Sequence, residues 1–299
     1  MVGALLLFFI YPLLEGLLQG WHPAIASRTL LLVLAFPFLI SLSTTIMLFL
    51  PVVENNLVVV HCHENCEAHA PLLDSIWLSA AGLLVILLIM YAILRKLTLN
   101  IRTANQLMTH LLHLGKDAGR WCQLPDLQPI VFTLGWWRNR IFITEGLLAK
   151  CDSKDIDIIL QHELAHGRRF DNLRLLLARL FLLVLPARFA QKIYSDLHFY
   201  TESSCDFAAA ELYGDLDVAE TLLRIQKIIP NEFSYFGSEL ASAFTGAEVE
   251  RRIRILAAGG EKFGRRQYSQ SIGLFVLVLL SFILIDPIHH GIEWIFGLY

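Results

Sequence analysis

Two histidines one helical turn apart, His162 and His166, are the residues of this sequence best placed to hold a metal ion. On a helix, positions i and i+4 lie on one face, so both imidazoles can reach a Zn²⁺ at about 2.0 to 2.1 Å. Glu163 lies between them and is the candidate general base for a water molecule. Together they form an HExxH pattern, which is typical of zinc hydrolases. The alternative is a helix whose histidines are only paired with each other or solvated.

A carboxylate for the third ligand position comes from Glu202, in the sequence YTESSCD. Three protein ligands leave a fourth position for water, which distinguishes a catalytic zinc site from a structural one. Asp206 lies four residues after Glu202 and faces the same side of a helix. We expect Asp206, and Asp171 shortly after the HExxH segment, to accept hydrogen bonds from the ligand imidazoles.

The residue that stabilises the oxyanion of the reaction is left open by the sequence. His198 lies one helical turn before Glu202, and Tyr194 and Tyr200 lie nearby. Each offers a hydrogen-bond donor to a developing negative charge. His198 is also an alternative to Glu202 as the third metal ligand.

Two short runs rich in β-branched and aromatic residues precede the HExxH segment. Residues 129–135 and 140–144 are joined by a short link, which predicts a β-hairpin. A strand beside the metal helix can pair with an extended peptide. Residues 156–168 are predicted to form the metal-binding helix, with Asp152 or Ser153 as its cap.

The order of these motifs resembles the membrane-integral antirepressor metallopeptidases typified by β-lactam sensor-transducers. The resemblance covers about residues 125–210 and rests on PIVFTLGWWRNRIFITEGLL, ILQHELAHGRRFDN and YTESSCD. It implies a gluzincin with one catalytic zinc ion on His162, His166 and Glu202, Glu163 as the catalytic residue, and a cytoplasmic repressor protein as substrate. The alternative is the HtpX-like or CAAX-prenyl membrane proteases of protein quality control, which share HExxH and the upstream hairpin.

The resemblance does not extend to β-lactam recognition. Only residues 286–299 follow the last long uncharged run, so we expect no external penicillin-binding domain. Any stimulus would then act through the predicted external loop, residues 54–74, or through a partner protein.

Composition favours a membrane protein. The chain has 56% hydrophobic and 17% charged residues and a mean hydropathy of +0.56. Four apolar runs have about the length needed to cross a bilayer. We therefore predict a predominantly α membrane protein with about four transmembrane helices, at residues 2–19, 29–53, 75–94 and 267–285. The first run is weaker, and a signal peptide is its alternative.

The distribution of basic residues predicts the orientation of these spans. All but one of the 24 Lys and Arg residues lie between Arg95 and Arg266, and the exception is Arg28. The positive-inside rule then predicts a multi-pass protein of the inner membrane whose catalytic segment is cytoplasmic. The predicted domains are a membrane domain at 1–95, an α+β metallopeptidase domain at 96–266 between the third and fourth helices, and a last helix with a short external tail at 267–299.

The predicted external loop, residues 54–74, is rich in metal-binding side chains. Its two cysteines form either a disulfide or, with neighbouring histidines, a second metal site. The residues concerned are Cys62, Cys66, His61, His63 and His69.

Two other segments allow more than one interpretation. Residues 173–189 are apolar but carry three arginines, which indicates either a helix at the membrane interface or a buried core helix. Residues 246–260 predict an amphipathic helix. Its arginines, Arg251, Arg252 and Arg254, are predicted to lie on a solvated face, with contact to substrate or anionic lipid as the alternative.

Two classes of function follow from the sequence. The first is a membrane-embedded zinc endopeptidase at the cytoplasmic face, in regulatory signalling or in quality control. The second is a metal-binding membrane sensor with an inert site. Glu163 favours the enzyme, because a sensor needs no residue that activates water. No nucleotide loop or nucleic-acid motif is present, so direct nucleic-acid binding is not expected.

Overall fold

The computed structural model describes residues 2–49, 76–183, 185–228 and 246–258. These residues are mostly helical and include one small sheet. The helices are α1 Val2–Leu18, α2 Pro23–Phe49, α3 Ile76–Leu114, α4 Glu145–Leu148, α5 Ser153–Arg169, α6 Asp171–Leu182, α7 Ala187–Tyr213, α8 Asp215–Ile228 and α9 Gly246–Ala257. The strands are β1 Lys116–Asp117, β2 Cys122–Leu124, β3 Val131–Leu134 and β4 Arg140–Thr144.

The predicted hairpin is present as β3 and β4, which pair antiparallel. The strand order is β1-β2-β4-β3, so β3 lies at one edge of the sheet. Gly135 begins the link between the two strands with φ +121°, a conformation that side chains disfavour. A Cβ at this position would lie 2.4 Å from the carbonyl oxygen of Arg138, so the turn requires glycine.

The hairpin and the metal-binding helix share one core. Side chains of β3, β4 and α4 pack against α5 and α8, which fixes β3 alongside α5. The buried members of this cluster are Val131, Ile141, Ile143, Leu147, Ile159, Leu160 and Ile225.

A second core joins the first two helices to the helices that follow α5. Tyr11 of α1 and Leu30 of α2 are fully buried against Ala178 of α6 and Leu197 of α7. The hydroxyl of Tyr11 also donates a hydrogen bond to Asp196 of α7. The apolar side chains of α1 and α2 therefore help to hold α7, which carries Glu202, in place.

The predicted membrane architecture is wrong for the part of the chain that the structure describes. Within residues 2–49, 76–183, 185–228 and 246–258, no helix combines the length and apolar character that a membrane crossing requires. An uncharged run does not distinguish a span from a helix buried in protein, and α1 and α2 bury part of their apolar surface against α6 and α7. The predicted span at 267–285 lies outside the described residues. The inner-membrane and cytoplasmic location was inferred from those spans and stays a prediction.

The described residues of the apolar segment 173–189 belong to two helices. They comprise most of α6 and the start of α7, with Pro186 at the N-cap of α7. Leu176 and Leu182 of α6 are buried, and the guanidinium of Arg179 lies 5.1 Å from the ring centroid of Tyr194. The burial of Leu176 and Leu182 agrees with the core-helix interpretation of this segment.

Candidate active site

Helix α5 begins and ends at well-formed caps, which hold its histidines at a fixed place. The Asp152 carboxylate accepts a hydrogen bond from the backbone N–H of Asp155 at 2.8 Å, as predicted for the N-cap. Phe170 ends the helix in the left-handed conformation with φ 55°. In the hairpin, the side-chain amide of Asn139 donates to the carbonyl of Gly167 at 2.9 Å. The last turn of α5 is therefore tied to the β3–β4 link.

Donor atoms of three residues converge between α5 and α7. The Nε2 atoms of His162 and His166 lie 3.2 Å apart, and each lies 3.4 Å from Glu202, His162 from Oε2 and His166 from Oε1. Ligands at about 2.0 to 2.1 Å from a tetrahedral zinc ion are separated by about 3.3 Å. The donor types and their spacing thus fit a zinc ion bound by these three residues.

The other ring nitrogen of each histidine is held by a buried carboxylate. The Nδ1 atom of His162 lies 2.9 Å from Asp206, and that of His166 lies 3.1 Å from Asp171. A hydrogen bond from Nδ1 to a carboxylate leaves the lone pair of Nε2 directed towards the other ligands. When both imidazoles are neutral, their Nε2 lone pairs and the Glu202 carboxylate face one another, an arrangement that favours a cation among them.

The electrostatics of the site agree with this interpretation. Burial alone would raise the pKa of Glu202, but His166, His162 and the Arg252 guanidinium hold it well below its ordinary value. Burial would likewise lower the pKa of His162, but hydrogen bonds and charge from Asp206 and Glu202 raise it to about 10 in the metal-free protein. Glu202 is therefore anionic, and His162 must lose a proton to bind a metal ion.

Glu163 is held by the edge strand. Its side chain is buried, and its Oε2 atom accepts a hydrogen bond from the hydroxyl of Thr133 at 2.7 Å. The same hydroxyl lies 3.2 Å from the backbone carbonyl oxygen of Glu163. Strand β3 is fixed in turn by Asn172, whose side-chain amide donates to the carbonyls of Thr133 and Gly135 at 3.1 and 3.0 Å.

A cleft of about 570 Å³ opens at this centre. Its polar residues include the three candidate ligands and Glu163, whereas much of its wall is apolar. Apolar side chains that line it include Leu107, Val131, Leu134, Ile159, Leu175, Leu222 and Ile225. A site of this shape suits a ligand with apolar side chains and a polar backbone.

The candidate oxyanion donors occupy different places. His198 and Tyr194 line the cleft, whereas Tyr200 lines a separate polar pocket with Glu15 and Arg251. The Nε2 atom of His198 lies 3.9 Å from Glu202, and its Nδ1 atom lies 3.6 Å from Glu248 of α9. The structure therefore brings His198 and Tyr194 to the site and not Tyr200.

The sequence does not predict three contacts at the site. Thr133 is predicted only as a strand residue, but its hydroxyl contacts Glu163. The Cys205 sulfur lies 3.3 Å from Nδ1 of His166. Arg252 was predicted to be solvated, but it is 1% exposed and pairs with Asp206. The predicted loop site at Cys62, Cys66, His61, His63 and His69 lies outside the described residues.

Comparison with known proteins adds one finding. Residues 126–244 match the model of peptidase family M48. The match contains the hairpin, HExxH and Glu202, and it supports a metallopeptidase of this family. The antirepressor subtype is not confirmed. No curated protein and no solved structure matches the chain.

Proposed function

We propose that this protein is a zinc-dependent endopeptidase. The observation that carries the proposal is the convergence of His162, His166 and Glu202, whose nearest donor atoms lie 3.2 to 3.4 Å apart in each pair, beside the buried carboxylate of Glu163. The match of residues 126–244 to peptidase family M48 supports the same chemistry. An inert metal sensor would need the three ligands but not Glu163.

Each residue of the site has a separate role in the proposed reaction. His162, His166 and Glu202 would hold a zinc ion, which would supply Lewis acidity to a water molecule and to the peptide carbonyl. Glu163 accepts the proton of the attacking water and returns it to the leaving amine. Thr133 keeps the Glu163 carboxylate in one orientation during both transfers. His198 lines the cleft and is our candidate donor to the oxyanion.

Strand β3 is our candidate for binding the substrate backbone. The carbonyl of Ile130 accepts a hydrogen bond from the N–H of Thr144, so the alternation of an antiparallel pair turns the backbone groups of Val131 and Thr133 away from β4. Asn172 already occupies the carbonyl of Thr133. The remaining groups can pair with an extended peptide, which would lie along the cleft.

The biological role that we propose is regulatory. It rests on the sequence resemblance to antirepressor metallopeptidases, which implies a repressor protein as substrate. Broad cleavage of damaged proteins is the alternative within the same chemistry. A defined cut in one repressor, with casein left intact, favours the regulatory role, whereas cleavage of many unfolded proteins favours quality control.

Proteolysis by the full-length protein and its Glu163→Gln variant tests the enzyme assignment. Glutamine keeps the size of the side chain but cannot accept the proton. Casein and candidate repressors serve as substrates, and the zinc content of both proteins is measured. We expect cleavage by the wild type only, with equal zinc in both. Equal cleavage by both proteins, or zinc-loaded wild type that cuts no substrate, would contradict the proposal.

A further inference from the structure

Helix α9 carries a buried arginine where an amphipathic helix ordinarily carries an apolar residue. Val249, Arg252 and Leu256 lie on one face at helical spacing, and each is at most 1% exposed. Val249 and Leu256 pack with side chains of α7 and α8. Among the described residues of α9, Arg252 is the one charged residue that is fully buried.

The Arg252 guanidinium contacts two carboxylates of the candidate metal centre. Its Nε and Nη2 atoms donate to the two oxygens of Asp206 at 2.7 and 2.6 Å. Its Nη1 atom lies 3.3 Å from Glu202. Asp206 Oδ1 is shared with Nδ1 of His162 at 2.9 Å. Arg252 thus fixes both the ligand Glu202 and the Asp206 carboxylate, which orients the His162 imidazole.

Packing alone does not account for an arginine at this position. A buried ion pair is often no more stabilising than apolar residues of similar volume, because both charges must be removed from water. A hydrophobic residue would continue the Val249–Leu256 stripe at least as well. The bidentate geometry, however, holds a carboxylate in one plane, which apolar packing cannot do.

A second residue of α9, Glu248, lies close to the face of α7 that carries Glu202 and Asp206. Glu248 lies one turn before Arg252 and therefore on the same face. On α7, His198, Glu202 and Asp206 follow one another at the same spacing. Glu248 Oε1 and His198 Nδ1 are both buried and lie 3.6 Å apart. The two helices thus present complementary charges at successive turns.

We infer that Arg252 is a positioning residue of the metal centre, which acts through Asp206 and Glu202. Residues 126–244 contain the whole match to peptidase family M48, so α9 adds this contribution from outside the matched segment. The inference rests on the proposed function, because it assumes that the three ligands bind zinc. It adds that the ligand set is correctly oriented only while α9 is packed on α7.

The test compares Arg252→Met and Arg252→Lys in the full-length protein. The zinc dissociation constant is measured by competition with a chelator, and cobalt-loaded protein is examined by its visible d–d absorption. We expect Arg252→Met to bind zinc about 10- to 100-fold more weakly than the wild type and to change the cobalt spectrum. Arg252→Lys keeps the charge and is expected to recover part of the affinity.

Arg254→Met is the matched control. Arg254 lies on the same helix, its side chain is 76% exposed, and among the described residues it forms a salt bridge with Glu250, four positions earlier. We expect its zinc affinity and cobalt spectrum to equal those of the wild type.

The outcomes separate this inference from the proposed function. Wild-type zinc affinity and cobalt spectrum in folded Arg252→Met would overturn the inference, even if the unfolding temperature fell. If Arg252→Met does not fold, Arg252→Lys is measured instead, and a zinc affinity and cobalt spectrum equal to those of the wild type would again overturn the inference. Wild-type protein that binds no zinc would instead overturn the proposed function, and the inference with it.

Discussion

Replacing Thr133 with valine should impair catalysis without loss of the metal ion. The Thr133 hydroxyl donates to the Glu163 carboxylate at 2.7 Å, and valine removes this donor while keeping the shape of the side chain. Valine is also β-branched and favours a strand, so β3 should persist. None of the three candidate metal ligands contacts Thr133 through a hydrogen bond that the structure describes. The variant therefore isolates the orientation of the general base.

The size of the effect follows from the hydrogen bond that is lost. A hydrogen bond to a charged group contributes about 1.5 to 3 kcal/mol. If this bond is needed in the transition state, kcat/KM falls by roughly 10- to 150-fold, since each 1.36 kcal/mol is a factor of ten. The longer contact from Thr133 to the backbone carbonyl of Glu163, at 3.2 Å, adds little.

The assay is steady-state cleavage of a peptide substrate, with zinc content measured on the same samples. Thr133→Ser is the matched control because it keeps the hydroxyl and loses only a methyl group. We expect it to retain most of the activity. Wild-type kcat/KM in zinc-loaded Thr133→Val would refute the role of Thr133, as would a serine variant as impaired as the valine variant.

Three further predictions concern metal binding and stability. The pKa of His162 is raised to about 10 without metal, so zinc binding at pH 7 should release about one proton, and the affinity for zinc should increase with pH up to about 10. Calorimetric heats of zinc binding that do not depend on the buffer would contradict this prediction. Gly135→Ala places a Cβ 2.4 Å from Arg138 O at φ +121° and should lower the free energy of unfolding by about 1 to 3 kcal/mol, whereas an unchanged urea midpoint would show that the turn tolerates alanine. Leu30→Ala in the α2 core should cost about 2 to 5 kcal/mol. Leu32→Ala, at a position 42% exposed on the same helix, should change stability by less than about 0.5 kcal/mol, and equal effects of the two would argue against the packing of α2.

The parts of the site that sequence predicts are those encoded locally. The helix from Ser153 to Arg169 follows from its cap and its apolar spacing, and the hairpin follows from two β-rich runs around a short link that begins with Gly135. The spacing of His162 and His166 places both on one face without any tertiary information. Glu202 is predicted because a catalytic zinc site needs a third ligand besides the two histidines, and Asp206 follows it by one helical turn.

The parts that sequence does not predict depend on contacts between distant segments. Arg252 has the spacing of a core residue but the charge of a surface residue, and only the packing of α9 on α7 decides between them. Thr133 contacts Glu163 across thirty positions of sequence, which no local pattern encodes. The uncharged runs at α1 and α2 predict membrane spans wrongly, because an apolar helix has the same composition in a bilayer and in a protein core.

The most direct test of the account is to locate the metal by zinc anomalous diffraction from crystals of the full-length protein. We predict one zinc ion within about 2.0 to 2.2 Å of His162 Nε2, His166 Nε2 and a carboxylate oxygen of Glu202. An active protein with no anomalous peak between these three residues would contradict the assignment of the catalytic centre.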